Sequence, residues 1–62
     1  MADAVVLLTL PEAAERLRLS RRTVERLIDA GRIRPVRIGR RVLVTEREIA
    51  AFVAQASGRR VA

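Results

Sequence analysis

Within residues 32–44, two short runs rich in β-branched residues, 36–38 and 42–44, lie on either side of Gly39–Arg40–Arg41, and this pattern predicts a strand, a turn and a second strand. The segment contains five arginines and no acidic residue. Residues 1–31 have a formal net charge of zero and residues 45–62 of +1, so this segment holds +5 of the chain's +6. A narrow, positively charged ribbon favours a polyanionic partner, and double-stranded DNA is the first candidate.

The loop of this predicted hairpin has two possible registers. A three-residue loop, which we prefer, groups four β-branched residues on one face: Val36, Ile38, Val42 and Val44. It uses Gly39 for a positive φ, places Arg40 at the tip and directs Arg37 to the outward face. A two-residue loop of Gly39 and Arg40 is the competing register, and it would group Leu43 with Val36 and Ile38 instead.

Two short amphipathic helices are predicted before the hairpin, over residues 10–17 and 21–30. Thr9 and Glu12 have the spacing of a capping box for the first helix, and Ser20 is a good N-cap for the second. Gly31 ends the second helix as a left-handed residue. Two helices joined by about three residues are typical of the helix-turn-helix unit, and a generic helical hairpin is the alternative.

A third helix is predicted over residues 46–55, with Thr45 as its N-cap and Glu48 three residues later. Its apolar stripe comprises Ile49, Phe52 and Val53. The predicted fold is therefore mainly α with a small β-hairpin, a winged helix-turn-helix whose wing spans residues 35–44. We expect a single domain over residues 1–62, with an ordered core at about residues 7–55 and frayed ends.

The composition excludes several classes of protein. Without cysteine or histidine the chain can form neither disulfides nor the usual zinc sites. Without histidine, cysteine or a pair of acidic residues on one predicted groove, no acid/base or nucleophilic constellation can be assembled, so we expect neither an enzyme nor a cofactor. No apolar run approaches 18 residues, so neither a membrane span nor a secretory signal is expected. We expect a soluble, cytoplasmic protein that associates with the nucleoid.

The side chains expected to contact DNA lie on the second helix and on the wing: Ser20, Arg21, Arg22, Thr23, Arg26, Arg37, Arg40 and Arg41. Arg22 and Arg26 lie opposite the apolar face and are the candidates for reading bases. A solvated helix face and a charged sheet edge that prevents aggregation are the alternatives. Glu25 could accept from a cytosine amine or pair with a neighbouring arginine. Phe52 is the only aromatic residue, so single strands have no stacking platform.

The ordered run SRRTVERLIDAGRIRPVRIGRR, residues 20–41, together with Leu8 and Thr9, resembles the excisionase-like branch of the MerR superfamily of winged helix-turn-helix proteins. The resemblance covers about residues 7–54. It implies that the second helix enters the major groove while the wing contacts the neighbouring DNA backbone. Two residues depart from the family pattern: Arg18 replaces a common glycine between the helices, and Val42 replaces a frequent wing tryptophan.

The expected function is sequence-specific binding of double-stranded DNA, as an excisionase or as a small transcription regulator, with an integrase or RNA polymerase as a possible protein partner. Full MerR regulators continue into a dimerisation helix and an effector domain, which this sequence does not include. We therefore expect a monomer when free and cooperative head-to-tail assembly on DNA. The alternative is a protein-protein interaction module with a helix-turn-helix fold.

Overall fold

The computed structural model describes residues 5–58. Its elements follow in the order β1 (Leu7–Thr9), α1 (Leu10–Leu17), α2 (Arg21–Asp29), β2 (Val36–Ile38), β3 (Arg41–Thr45) and α3 (Glu46–Gly58). The predicted mainly helical fold with a hairpin wing is confirmed. The second helix ends one residue earlier than predicted, and the third continues to Gly58. The basic tail predicted to fray, residues 59–62, lies outside the described residues.

Side-chain caps determine where the three helices begin. The Thr9 hydroxyl accepts from the Glu12 N–H at 3.2 Å, and the Glu12 carboxylate accepts from the Thr9 N–H at 2.8 Å, which completes the predicted capping box. The Ser20 hydroxyl accepts from the N–H of Thr23 at 3.1 Å. The Thr45 hydroxyl accepts from the N–H of Glu48 at 3.0 Å. All three predicted N-caps are confirmed.

The turn between α1 and α2 places a non-glycine residue in the left-handed region, since Arg18 has a φ of 59°. The N–H of Arg18 donates to the Glu15 carbonyl at 3.2 Å, and the N–H of Leu19 donates to the Ala14 carbonyl at 2.9 Å. These two bonds form a Schellman motif, the helix ending for which glycine is preferred. Arg18 therefore keeps the turn shape that a glycine would adopt, at a conformational cost of about 1–2 kcal/mol.

The sheet has three antiparallel strands in the order β1-β3-β2. The strand β1 was not predicted, although the apolar run of residues 5–8 is the signal that could have indicated it. In this strand Leu8 pairs with Val44, and both side chains are buried. β3 is therefore the central strand, because β1, which precedes both helices in the chain, pairs with the edge of β3 that β2 leaves open.

The preferred register of the wing is wrong, and the two-residue loop is correct. Val36 pairs with Leu43 and Ile38 with Arg41, so the loop contains only Gly39, with a φ of 60°, and Arg40. The face that packs on the helices carries Val42 and Val44, because Val44 lies beside buried Leu8. Val36 and Ile38 lie on the opposite face, where Ile38 is 51% exposed. Arg37 pairs with Val42 and therefore lies on the helix-side face of the sheet, not on the outward face.

The core lies between the sheet and the helices. Its buried residues are Leu8, Ala13, Ala14, Val24, Ile33, Val44 and Ile49. Leu27 and Phe52 are half-buried against this cluster. Val53 does not extend the stripe of α3 into the core as predicted, because it is 45% exposed. Ile33 follows α2 and is fully buried, so the link between α2 and the wing is part of the core.

Candidate nucleic-acid interface

The outer face of α2 carries Arg22 and Arg26, four residues apart and both exposed. Their exposure follows from the opposite face, where Val24 is fully buried and where Leu27 packs against the core. On a helix, residues four apart lie one above the other, so the two guanidinium groups project from adjacent turns. This spacing is compatible with contact to neighbouring base pairs in a major groove.

The beginning of α2 is ordered by Ser20 and Thr23. Their hydroxyl oxygens lie 2.9 Å apart, within hydrogen-bond distance, in addition to the cap bond described above. Ser20 and Thr23, which are both predicted to contact DNA, therefore bond to each other in the free protein and hold the first turn of α2 in place. The first turn of α2 contains no acidic residue, so the positive end of the helix dipole is not neutralised there. A phosphate group is the natural ligand of such a helix end.

Arg21 differs from Arg22 and Arg26 because it is paired within the protein. Its guanidinium Nε lies 3.2 Å from the carboxylate of Glu25, one turn along the helix. Of the two interpretations of Glu25, the structure shows the ion pair with a neighbouring arginine on the helix surface. The two side chains are 62% and 47% exposed, so this pair adds less than about 1 kcal/mol to stability. A phosphate can therefore compete for Arg21 at little energetic cost.

The wing presents arginines in three directions. Arg40 lies at the tip, and strand pairing places Arg37 and Arg41 on opposite faces of the hairpin. All three are exposed, and within residues 5–58 no carboxylate lies at ion-pair distance from any of them. Burial along the helix-side face falls from Val44 through Val42 to Arg37, so the wing extends beyond the helices. The structure thus separates the wing arginines from the acidic side chains of residues 5–58.

The other two arginines of the basic segment lie at the base of the wing, next to α3. The guanidinium carbon of Arg32 is 5.5 Å from the ring centroid of Phe52. The backbone N–H of Arg34 donates to the carboxylate of Glu48 at 3.1 Å. Sequence reasoning assigned Glu48 only to the cap of α3 and missed this contact, because residues 14 apart have no local signal that brings them together.

The part of the chain that the structure describes contains no group of three or more acidic, histidine or cysteine side chains that could hold a metal ion. None of the helices within residues 5–58 is long and apolar enough to cross a membrane. The groups that α2 and the wing present are arginine side chains, hydroxyl groups and a helix end. Proteins use these groups to contact phosphates and base edges.

Comparison with known proteins identifies one relationship. The family model described as a helix-turn-helix domain matches residues 7–57, which is most of the chain. This range includes β1, both helices of the motif, the wing and nearly all of α3. No match to this chain was found among curated proteins or among solved structures.

Proposed function

Because this chain belongs to the helix-turn-helix domain family, a DNA-binding family that is found in excisionase-like proteins, we propose that it binds a specific double-stranded DNA sequence through α2 and the wing. The observation that carries this proposal is the separation of charge. The exposed arginines of the wing have no acidic partner within residues 5–58, and a short link connects the wing to a helix whose outer face carries two more.

In this proposal α2 selects the sequence. Arg22 and Arg26 present planar, bidentate donors that match the O6 and N7 acceptors of guanine in the major groove. Ser20, Thr23 and Arg21 lie at the start of the helix, where contacts to a phosphate would fix its depth and direction. Glu25 keeps Arg21 close to the helix surface until a phosphate replaces it.

The wing supplies affinity in this proposal. Arg37 and Arg41 project from opposite faces of a ribbon that is only two strands wide, and Arg40 extends from its tip. A ribbon with positive charge on both faces suits a groove with phosphates on both walls, and the minor groove next to the α2 site has that shape. Contacts of this kind are largely independent of sequence.

The biological role that we propose is that of an excisionase or of a small transcription regulator. In either role the bound protein would bend DNA or recruit a partner, an integrase in the first case and RNA polymerase in the second. One helix and one wing read few base pairs, so we propose that monomers assemble head to tail on adjacent direct repeats. A protein-protein interaction module with the same fold is the alternative.

The test is a comparison of duplex affinity as a function of salt. Arg40→Ala combined with Arg41→Ala should weaken binding to specific and random duplexes alike, and should reduce the salt slope by about one unit per lost phosphate contact. The matched control is Arg16→Ala combined with Arg32→Ala, which removes the same charge from side chains that contact Glu46 and Phe52 within the protein. A parental slope in the wing variant would contradict the assignment of the wing. A parent protein that binds no duplex would favour the interaction module.

A further inference from the structure

A short link, residues 31–35, joins the end of α2 to the first strand of the wing. Its first two N–H groups complete the C-terminal end of α2. The N–H of Gly31 donates to the Ile28 carbonyl at 3.0 Å, and the N–H of Arg32 donates to the Leu27 carbonyl at 2.8 Å. With a φ of 78° at Gly31, these bonds form a Schellman motif, so the link begins as a rigid extension of α2.

The remaining residues of the link are also held. Ile33 is fully buried, and its N–H donates to the Leu27 carbonyl at 3.3 Å. The N–H of Arg34 donates to the Glu48 carboxylate at 3.1 Å, and Pro35 has no N–H. Every backbone N–H of the link is therefore bonded. Glu48 supplies the only one of these bonds whose acceptor is a side chain, and hence the only one that a substitution can remove directly.

The last part of the link transmits the position of Arg34 to the wing. Pro35 has its φ restricted to about −65°, and the residue before a proline is restricted to extended conformations. The strand β2 begins directly afterwards, at Val36. Few torsional degrees of freedom thus separate the Arg34 N–H from the hairpin. A constraint at that N–H, together with the pairing of β3 with β1, sets the direction in which the wing leaves the core.

Glu48 is itself well positioned for this role. It is half-buried in the first turn of α3, and its own N–H donates to the Thr45 hydroxyl at 3.0 Å. Thr45 is the last residue of β3, the strand that returns from the wing tip. One turn further along α3, Phe52 contacts Arg32 at the other end of the link. The beginning of α3 therefore joins the outgoing and returning ends of the wing.

We propose that Glu48 is a positioning residue for DNA binding, which acts through the backbone N–H of Arg34 to set the angle between the wing and α2. This inference rests on the proposed function, in which both elements contact one duplex. Two linked contacts reinforce each other only when their geometry lets them bind at the same time. Release of the link would let β2 and the tip of the wing shift relative to α2, while β3 remains paired with β1. Part of the reinforcement would then be lost although every arginine remained.

The experiment uses three substitutions at one position in the full chain. Glu48→Gln removes the charge but keeps an acceptor oxygen at the same reach, so duplex affinity should stay close to that of the parent. Glu48→Ala removes the acceptor, and affinity should fall by on the order of tenfold, a modest part of what linked contacts can gain. Glu48→Asp keeps the charge near the start of α3 but shortens the side chain by one methylene. The duplex affinity of Glu48→Asp should lie between those of the other two variants. Glu48→Asp also takes the place of Glu48→Ala if that variant does not fold.

A double-mutant cycle distinguishes positioning from stability. In the Glu48→Ala background, the pair of changes Arg40→Ala and Arg41→Ala should lower duplex affinity by a smaller factor than in the parent. The reason is that the displaced wing already contributes less to binding. Additive losses, or a Glu48→Ala variant that melts at a lower temperature but binds duplex like the parent, would overturn the proposal. So would a Glu48→Gln variant as weak as Glu48→Ala.

Amide hydrogen exchange of the free protein separates this proposal from the proposed function. Exchange at the Arg34 N–H should be faster in Glu48→Asp than in the parent or in Glu48→Gln, and the amides of β2 should follow. If the parent binds no duplex, the proposed function is wrong, but this measurement still decides whether Glu48 holds the link. Unchanged exchange at Arg34 in Glu48→Asp would show that it does not.

Discussion

Arg32 lies over the face of Phe52, with its guanidinium carbon 5.5 Å from the ring centroid, and this contact joins the link after α2 to α3. A cation over an aromatic ring is attracted by the negative face of the ring. The contact holds Arg32 against the protein, whereas Arg40 projects from the tip of the wing. The basic segment thus combines an arginine that packs against the fold with others that extend into solvent.

We therefore expect Arg32→Ala to affect stability more than DNA affinity. It should lower the free energy of unfolding by about 0.5–1 kcal/mol, the range for an exposed cation–π contact. Phe52→Leu keeps an apolar side chain but removes the ring face, and in that background Arg32→Ala should have a smaller effect. Chemical denaturation of the two single variants and the double variant measures the coupling. Equal effects of Arg32→Ala in both backgrounds would show that the contact contributes nothing.

The burial of Ile33 predicts the largest effect of a core substitution. It is fully buried, whereas Leu27 is half-buried, so Ile33→Ala should cost about 3–5 kcal/mol and Leu27→Ala about 2 kcal/mol. A domain of this size has little stability to lose, and Ile33→Ala is expected to unfold it at physiological temperature. Thermal melts of both variants provide the measurement. A smaller loss for Ile33→Ala than for Leu27→Ala would contradict the packing described above.

The left-handed conformation of Arg18 predicts that a substitution can stabilise the protein. Arg18→Gly should raise the free energy of unfolding by about 0.5–1 kcal/mol, because relief of steric strain exceeds the entropy that glycine adds to the unfolded chain. Arg18→Ala removes the same charge but keeps the strain, so it should not stabilise. Melting temperatures at low and high salt separate strain from charge. A gain of equal size in both variants would indicate a charge effect instead.

Base preference should depend on the outer face of α2. Arg26→Ala is expected to cost about 1–3 kcal/mol at the preferred site and to relax selection at particular base pairs. Arg26→Lys keeps the charge but lacks the bidentate fork, so it should retain phosphate attraction and lose most of the base preference. Selection from random duplexes measures both. A uniform loss of affinity with unchanged preference would show that Arg26 contacts the backbone.

Assembly on DNA should be cooperative. We expect the free protein to sediment as a monomer and to bind a duplex with two direct repeats more tightly per site than a duplex with one. A duplex with the same two repeats in inverted orientation is the control, since head-to-tail contacts require direct repeats. Equal affinity per site on all three duplexes, or a stable dimer without DNA, would contradict the model.

The sequence by itself determined where the three helices begin. Thr9, Ser20 and Thr45 each bond to an N–H three residues later, and a cap of this kind depends only on residues within one turn. Likewise, Gly31 and Gly39 both adopt a positive φ as predicted, because only glycine reaches that region without strain. Interactions of this kind can be predicted from the sequence, because they involve only residues that are close together in the chain.

Only the tertiary structure decided the register of the wing and the contact between Glu48 and the Arg34 N–H. Both faces of the hairpin carry β-branched residues, so alternation alone could not show that Val44, and not Ile38, faces the core. The pairing of Leu8 with Val44 places Val44 on the core side of the sheet, and Leu8 lies in a strand 36 residues earlier in the chain. Glu48 has the spacing of a capping partner, yet packing brings the Arg34 N–H within its reach. Such contacts depend on how separate elements pack together, and spacing along the chain does not encode that.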